Sequence, residues 1–381
     1  MMDEVIEAFQ RKDYKTAARL LKQLAKDEPN NPWVQLYIAR LHEVRQKLSE
    51  AETVYRQLLQ NTTSPKIISQ ARQGLKRLET IEKEQRQQAL SQATADPNSN
   101  QFGILILEAI DAQNKSNAAQ TLAKIMQLDP YTARLQIPTR GWRLYRTGPV
   151  GELKFYALSL QKGLIPCFWV TLADIQNLNV FKVNYFDEFN ARNTTIVCQN
   201  HQNQTGSLTF NWSEVSQCVE GRLPIFEQVV DLDARQKLQR KTQTLDYIQF
   251  FDLHLPNRKS ILRLNDLQYQ FQQGIRLSPQ VESSQNGSIK KPVFSQATNR
   301  INWNSLRAFL NCQLPQIPIW SDFTSFGETA IDYKEMLSRL PSHIDLFRRE
   351  HTPWDSAFQL YSGLAFLKKP QQHCFTPTTL K

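Results

Sequence analysis

Few residues in this 381-residue chain combine type and spacing in a way that could do chemistry. Cys198 and His201 have half the spacing of a zinc site, but no second pair matches them, so a buried thiol beside an exposed histidine is expected. Gly148-Pro149-Val150-Gly151 precedes a helical pattern, and backbone amides there could hold an anion. It is neither GxGxxG nor GxxxxGK[ST], and ordinary turn chemistry explains it better. Asp231 and Asp233 with Arg235, Lys237, Arg240 and Lys241 read as a solvated helix with i,i+4 pairs. Trp303, Trp320, Asp322, Asp332 and Trp354 could line a cleft, though aromatic residues at such spacings are more often core. GxSxG, HExxH and kinase signatures are absent, so the chain leans away from an enzyme, with no catalytic residue, metal or cofactor assigned.

Charge offers a second route to function. The net charge is +10 and the pI about 9.3, but the basic excess is spread almost evenly along the chain, whereas a dedicated nucleic-acid domain would concentrate it. An RNA-binding or ribosome-associated role is therefore the alternative rather than the first expectation. Its candidates are Arg143, Tyr145, Lys182 and Tyr185, basic and aromatic residues expected on the exposed faces of neighbouring strands. Five scattered cysteines without CxxC spacing suggest neither a disulfide framework nor a four-cysteine metal site. No apolar run approaches a membrane span, and MMDEVIEAFQRKD lacks the apolar centre of a secretory signal, so a cytoplasmic location is expected.

The elements that must carry such residues follow from periodicity. Residues 141–170 read as a complete strand, helix and strand. Trp142 to Thr147 alternates, Leu153, Tyr156, Ala157 and Leu160 share a helical stripe, and an apolar run follows Gly163. That is a βαβ unit or a split version of one. Further strand patterns at 179–186, 194–198, 207–212, 247–255 and 260–269 make an α+β module. Residues 278–300 form a Ser, Gln and Asn rich exposed loop, and 301–381 a helical segment expected to pack back on the sheet.

Toward the N-terminus, apolar stripes at Val5, Ile6, Phe9 and at Ala17, Leu20, Leu21, Leu24 flank the turn Lys12-Asp13-Tyr14, an αα-hairpin. In KDYKTAARLLKQLAKDEPNNP, Tyr14, Ala17, Leu21, Leu24 and Pro29 stand at the aromatic, small, packing and terminal-proline positions of the tetratricopeptide repeat. Trp33, Leu36, Ala51, Tyr55 and Leu58 continue the pattern into a second, slightly irregular repeat. The chain thus resembles the tetratricopeptide-repeat (TPR) family over residues 1–131. The last part of that span is a hairpin expected from Phe102 to Asp129, with Ile104, Leu107 and Ile110 on its first helix. In overall arrangement the chain also resembles TPR-bearing proteins of cyanobacteria.

The expected architecture is therefore multidomain α and α+β: a helical-repeat arm, residues 1–136, followed by the mixed module, residues 137–381, with its sheet and helix in 137–277. The resemblance implies a non-enzymatic protein-binding adaptor or assembly scaffold with another protein as partner. Some such arrays clamp a partner's carboxylate with basic side chains, and Lys12, Lys15, Arg19, Arg40 and Arg45 are the candidates here.

Overall fold

The computed structural model describes residues 1–190, 192–232, 238–275, 299–345 and 352–368, except the side chains of 98, 231, 232 and 239. The chain divides into two compact units, Met1–Ala95 and Asp96–Lys381.

The first unit holds α1 (Met2–Gln10), α2 (Tyr14–Asp27), α3 (Pro32–Val44), α4 (Leu48–Asn61) and α5 (Pro65–Ala93). Local chemistry sets the boundaries. Asp13 caps α2 by accepting from the Thr16 amide at 3.1 Å, and Asn31 caps α3 by accepting from the Trp33 amide at 2.9 Å. Pro32 and Pro65 each occupy the start of a helix, where the missing amide is not needed. Ala17, Ala39, Ala51 and Ala71 are fully buried, which lets successive helices approach closely. Gly74 of α5 serves the same end, because a Cβ there would lie 2.4 Å from the Tyr55 ring of α4. The Tyr55 hydroxyl donates to Glu43 at 2.9 Å, and Arg77 donates to the same carboxylate through Nε (2.7 Å) and Nη2 (3.0 Å), joining α3, α4 and α5.

The second unit opens with β1 (Phe102–Glu108), where the sequence pattern suggested a helix. The reason is visible in its burial. Ile104, Leu105, Ile106 and Leu107 are all fully buried, so the run is apolar on both faces and its period is uninformative. Next come α6 (Lys115–Met126), α7 (Pro130–Gln136), β2 (Trp142–Pro149), α8 (Val150–Lys162), β3 (Cys167–Thr171) and α9 (Leu172–Gln176). β1 lies between β2 and β3 and is antiparallel to both, so the strand, helix and strand of 141–170 form a split βαβ unit around it. This pairing places residues 96–136 with the sheets rather than with the helical arm.

Six strands of a seven-stranded sheet follow: β4 (Asn179–Phe189), β5 (Asn193–Gln199), β6 (Thr205–Asn211), β7 (Gln217–Leu232), β8 (Leu238–Leu255) and β9 (Ser260–Asn265). Beyond the expected loop, which lies outside the described residues apart from its last two positions, are α10 (Asn299–Gln313), β10 (Ile319–Trp320), α11 (Phe323–Ala330), α12 (Lys334–Leu337) and α13 (Pro353–Leu367). The strand order is β10-β7-β8-β9-β4-β5-β6, with β4–β9 and β7–β10 parallel. The helix expected around residues 231–241 is instead strand on either side of 233–237: β7 and β8 pair from Gln217↔His254 to Leu232↔Leu238, with one shift of register between Ile225 and Phe226. β9 ends at Asn265 opposite Phe250, so the hairpin continues past it as a ribbon exposing Phe226, Val230, Leu238, Leu245 and Tyr247.

Alternation along these strands feeds different cores. Leu105, Leu107, Leu122, Tyr156 and Leu160 pack one face of the small sheet under α6 and α8. Ile104, Ile106, Trp142 and Leu144 on its other face share a core with Phe323, Phe326, Phe358 and Leu360 of α11 and α13 and with Val219, Leu223 and Phe250 of the large sheet. Trp303, Leu306 and Leu310 of α10 cover the opposite face of the large sheet, against Phe186, Phe251, Leu253 and Leu262. Just past the end of α13, Lys368 pairs with Glu108 of β1. Its ammonium lies 5.2 Å from the Trp142 and Phe168 rings and 5.6 Å from that of Trp320, which ties the helix end to both sheets.

Candidate functional site: a groove on the helical arm

In a helical array, alternate helices share one surface, and here α1, α3 and α5 build a groove of about 330 Å³. Each contributes two side chains four residues apart, hence on one helical face: Met2 and Ile6, Trp33 and Tyr37, Lys66 and Gln70. α2 and α4 contribute none of its lining. The floor is held by edge-on aromatic contacts, Phe9 standing 5.2 Å from Tyr37 and 5.9 Å from Tyr14. Cations stand over the aromatic walls. The Arg40 guanidinium lies 5.1 Å from the Tyr37 ring and the Lys66 ammonium 5.4 Å from the Trp33 ring. An apolar floor flanked by two positive charges is suited to a segment that offers an apolar side chain and a carboxylate.

The basic residues singled out in the sequence distribute unevenly about this surface. Arg40 stacks on the ring of Tyr37, a wall of the groove, but is not itself one of the residues lining it. Lys12 occupies the turn between α1 and α2 in a left-handed conformation (φ 61°), Lys15 and Arg19 lie exposed on α2, and Arg45 caps the end of α3. None of these four lines the groove. Lys66 was missed; its spacing from Gln70 directly after Pro65 was the available signal.

The four residues of the RNA reading separate. Arg143 and Tyr145 are on β2 of the small sheet, Lys182 and Tyr185 on β4 of the large one, so they are not on neighbouring strands. Lys182 donates to Asn203 and Asp345, and Arg143 donates to the Leu135 carbonyl at 3.2 Å. Tyr145 is half-buried, its phenol pushed up to about 12 by burial, and Tyr185 packs against the core of the large sheet. The supposed tryptophan cleft separates likewise: Trp303 belongs to the α10 face, while Trp320 and Trp354 pack on the opposite core. Cys198 is buried, and burial pushes its thiol up to about 11.

One further constellation has the composition of a nucleophile site, namely Ser362, His254 and Asp252. Its hydrogen bonds run the wrong way for that task. Ser362 donates to Asp252 Oδ2 at 2.6 Å, and His254 Nε2 lies 3.0 Å from the same hydroxyl, whose proton is thus committed to the carboxylate. His254 Nδ1 then faces the Gln217 side-chain amide at 3.3 Å, and Gln217 Oε1 accepts from Trp320 Nε1 at 2.9 Å. The tautomer with the proton on Nε2 is the one this chain of partners assigns. Arg263 completes the chain, donating Nε and Nη2 to Asp252 at 2.9 and 2.7 Å and Nη1 to the Ser342 carbonyl at 2.8 Å. Asp252, His254 and Ser362 have no exposure and Arg263 has 1%, so this is a sealed structural network that no substrate reaches.

With the geometry in place, the family comparison locates the arm. Residues 8–67, from the end of α1 through α4 to the start of α5, match the tetratricopeptide repeat model, so this segment is a tetratricopeptide one. No curated protein and no solved structure matches the chain. Among the described residues, no helix is long and apolar enough to cross a membrane.

Proposed function

We propose that the protein is a non-enzymatic adaptor whose arm holds an acidic segment of a partner protein in the groove of α1, α3 and α5. The observation that carries this reading is the pairing of Trp33 and Tyr37 with the cations Lys66 and Arg40 over an open apolar floor. The tetratricopeptide match supports protein interaction in general, and the charge pattern adds the kind of segment: an apolar anchor with a carboxylate beside it. A photo-crosslinking residue at Gln70 of the full-length chain would capture what occupies the groove. The captured segment is expected to be acidic, and capture is expected to be lost in the double variant Arg40→Glu, Lys66→Glu. Undiminished capture by that variant would remove the groove as the binding element.

A further inference from the structure

The three-stranded sheet has unequal edges. β2 is closed on its outer side, where the Tyr333 hydroxyl donates to the Tyr145 carbonyl at 2.8 Å. β3 is the other edge, and its sequence, Cys-Phe-Trp-Val-Thr, carries none of the charges or prolines that blunt an exposed edge. A space of about 440 Å³ runs along it, lined by every residue from Pro166 to Val170 together with Glu108, Gln161, Leu367 and Lys368. Consecutive strand side chains point to opposite faces, so a space that meets all of them lies along the main-chain edge. Phe168 packs on the core shared with α13 and Trp169 on the core under α6 and α8, so residues of both faces rim the same space.

The register assigns the main-chain groups that point outward. The Pro166 carbonyl accepts from the Glu108 amide at 3.0 Å, and Phe168 and Val170 pair with Ile106 and Ile104 of β1. Main-chain groups alternate sides along a strand, so those of 166, 168 and 170 face β1, while those of Cys167 and Trp169 face away. Gln161 Nε2 agrees with this, donating to the Cys167 carbonyl at 3.0 Å from outside the sheet. Trp169 therefore presents its N–H and C=O together, and one residue of an antiparallel neighbour meets both through a reciprocal pair of hydrogen bonds.

We infer that β3 takes an extended segment of a partner protein as a fourth strand, antiparallel to it and centred on Trp169. A strand edge selects a polypeptide backbone, and the side chains beside it select the sequence. On the Phe168 face the Lys368 ammonium is already paired with Glu108, so the segment offers apolar side chains to Phe168 and Leu367 there. On the Trp169 face the exposed Lys154 ammonium stands 5.0 Å from the indole ring, so the residue opposite Trp169 is acidic. The recognised segment thus has an acidic residue between two apolar ones. This edge lies in the sheet unit and is a different site from the groove of the arm.

The test uses the full-length chain with its seven tryptophans ¹⁵N-labelled, the Trp169 main-chain amide being identified as the one lost in Trp169→Phe. The probe is the capped peptide Ser-Thr-Val-Glu-Val-Thr-Ser. It is expected to shift the Trp169 amide downfield saturably and to slow its exchange with solvent. Backbone N-methylation of the peptide's glutamate, whose N–H meets the Trp169 carbonyl, should abolish the shift, while N-methylation of the valine after it, whose N–H points away, should leave it. Lysine in place of the glutamate, or Lys154→Glu in the protein, should each weaken binding roughly fivefold, and the two together should restore it. Four results would overturn the proposal: no saturable shift, indifference to which peptide amide is methylated, a Trp169 amide already protected in the free chain, or one that shifts with protein concentration alone. The last two would give the edge to the chain itself or to a second copy.

Discussion

In each unit a carboxylate joins several donors, Glu43 in the arm and Asp252 in the sheet unit, and the two are treated differently. In the arm, Glu43 receives Tyr55 and Arg77 at the edge of the helix stack, with the Arg77 side chain 45% exposed. In the sheet unit, Asp252 receives Arg263 and Ser362 with both members of the ion pair sealed. The arm is carried by repetitive contacts between neighbouring helices, through Ala17, Ala51, Ala71 and Gly74, and its polar cluster only clips what is already packed. The sheet unit joins strands to a helix more than a hundred residues away, and the Asp252 network fixes that distant register. A local repeat tolerates loss of its clip, whereas a non-local assembly with a buried charge does not.

The sharpest way to break this contrast is Asp252→Ala. It leaves Arg263 buried and charged without its partner, a situation that costs about 3–5 kcal/mol. Amide exchange should show the loss in α13 and β8, with α3 to α5 unaffected. Equal deprotection of the arm, or a loss below about 1 kcal/mol, would contradict the view that the network organises the sheet unit.

The same contrast decides what the sequence could disclose. The arm was legible because its signals are local: the turn Lys12-Asp13-Tyr14, Ala17 and Ala51 where helices touch, and Pro29 closing the first repeat. The split βαβ unit was half legible. The alternation from Trp142 and the stripe from Leu153 announced β2 and α8, but β1, which lies between β2 and β3, is buried on both faces and offered a helix-like spacing at Ile104, Leu107 and Ile110. The sealed network was invisible, since Gln217, Asp252, His254, Arg263 and Ser362 come from three strands and a helix and form no motif. Beside the groove, Arg40 was among the candidates but could not be ranked above Lys15 or Arg19, because spacing alone does not say which helices share a surface.

Acid should separate the units next. Burial holds His254 down to about 4, against an ordinary value of 6.5, so it stays neutral in the folded state over a range in which the unfolded chain takes up a proton. The sheet unit should therefore be fully stable above about pH 6.5 and lose up to about 3 kcal/mol as pH falls to about 4, levelling off below. His343, also lowered to about 4 by burial and by nearby Arg263, acts in the same window. Urea midpoints followed at α13 across this range should slope downward with acid, and His254→Asn should flatten the slope. A pH-independent midpoint between 7 and 4 would show that His254 is not shielded as its burial implies.

The smallest effect belongs to the arm. Glu43→Gln keeps an acceptor for the Tyr55 hydroxyl but removes the charge that holds Arg77, whose own affinity for its proton is raised chiefly by that hydrogen bond. Because Arg77 is nearly half exposed, water replaces much of what is lost, and the cost should be about 1 kcal/mol or less. Salt distinguishes the two carboxylates independently of size. Raising ionic strength to about 1 M shortens the screening length to about 3 Å, which should shrink the Glu43→Gln difference while leaving that of Asp252→Ala almost unchanged. The measurement is protection of α4 and α5 amides at low and high salt. A Glu43 effect as large and as salt-resistant as that of Asp252 would mean the arm depends on its polar clip, and the packing of Tyr55 against Gly74 would no longer suffice to explain how three helices hold together.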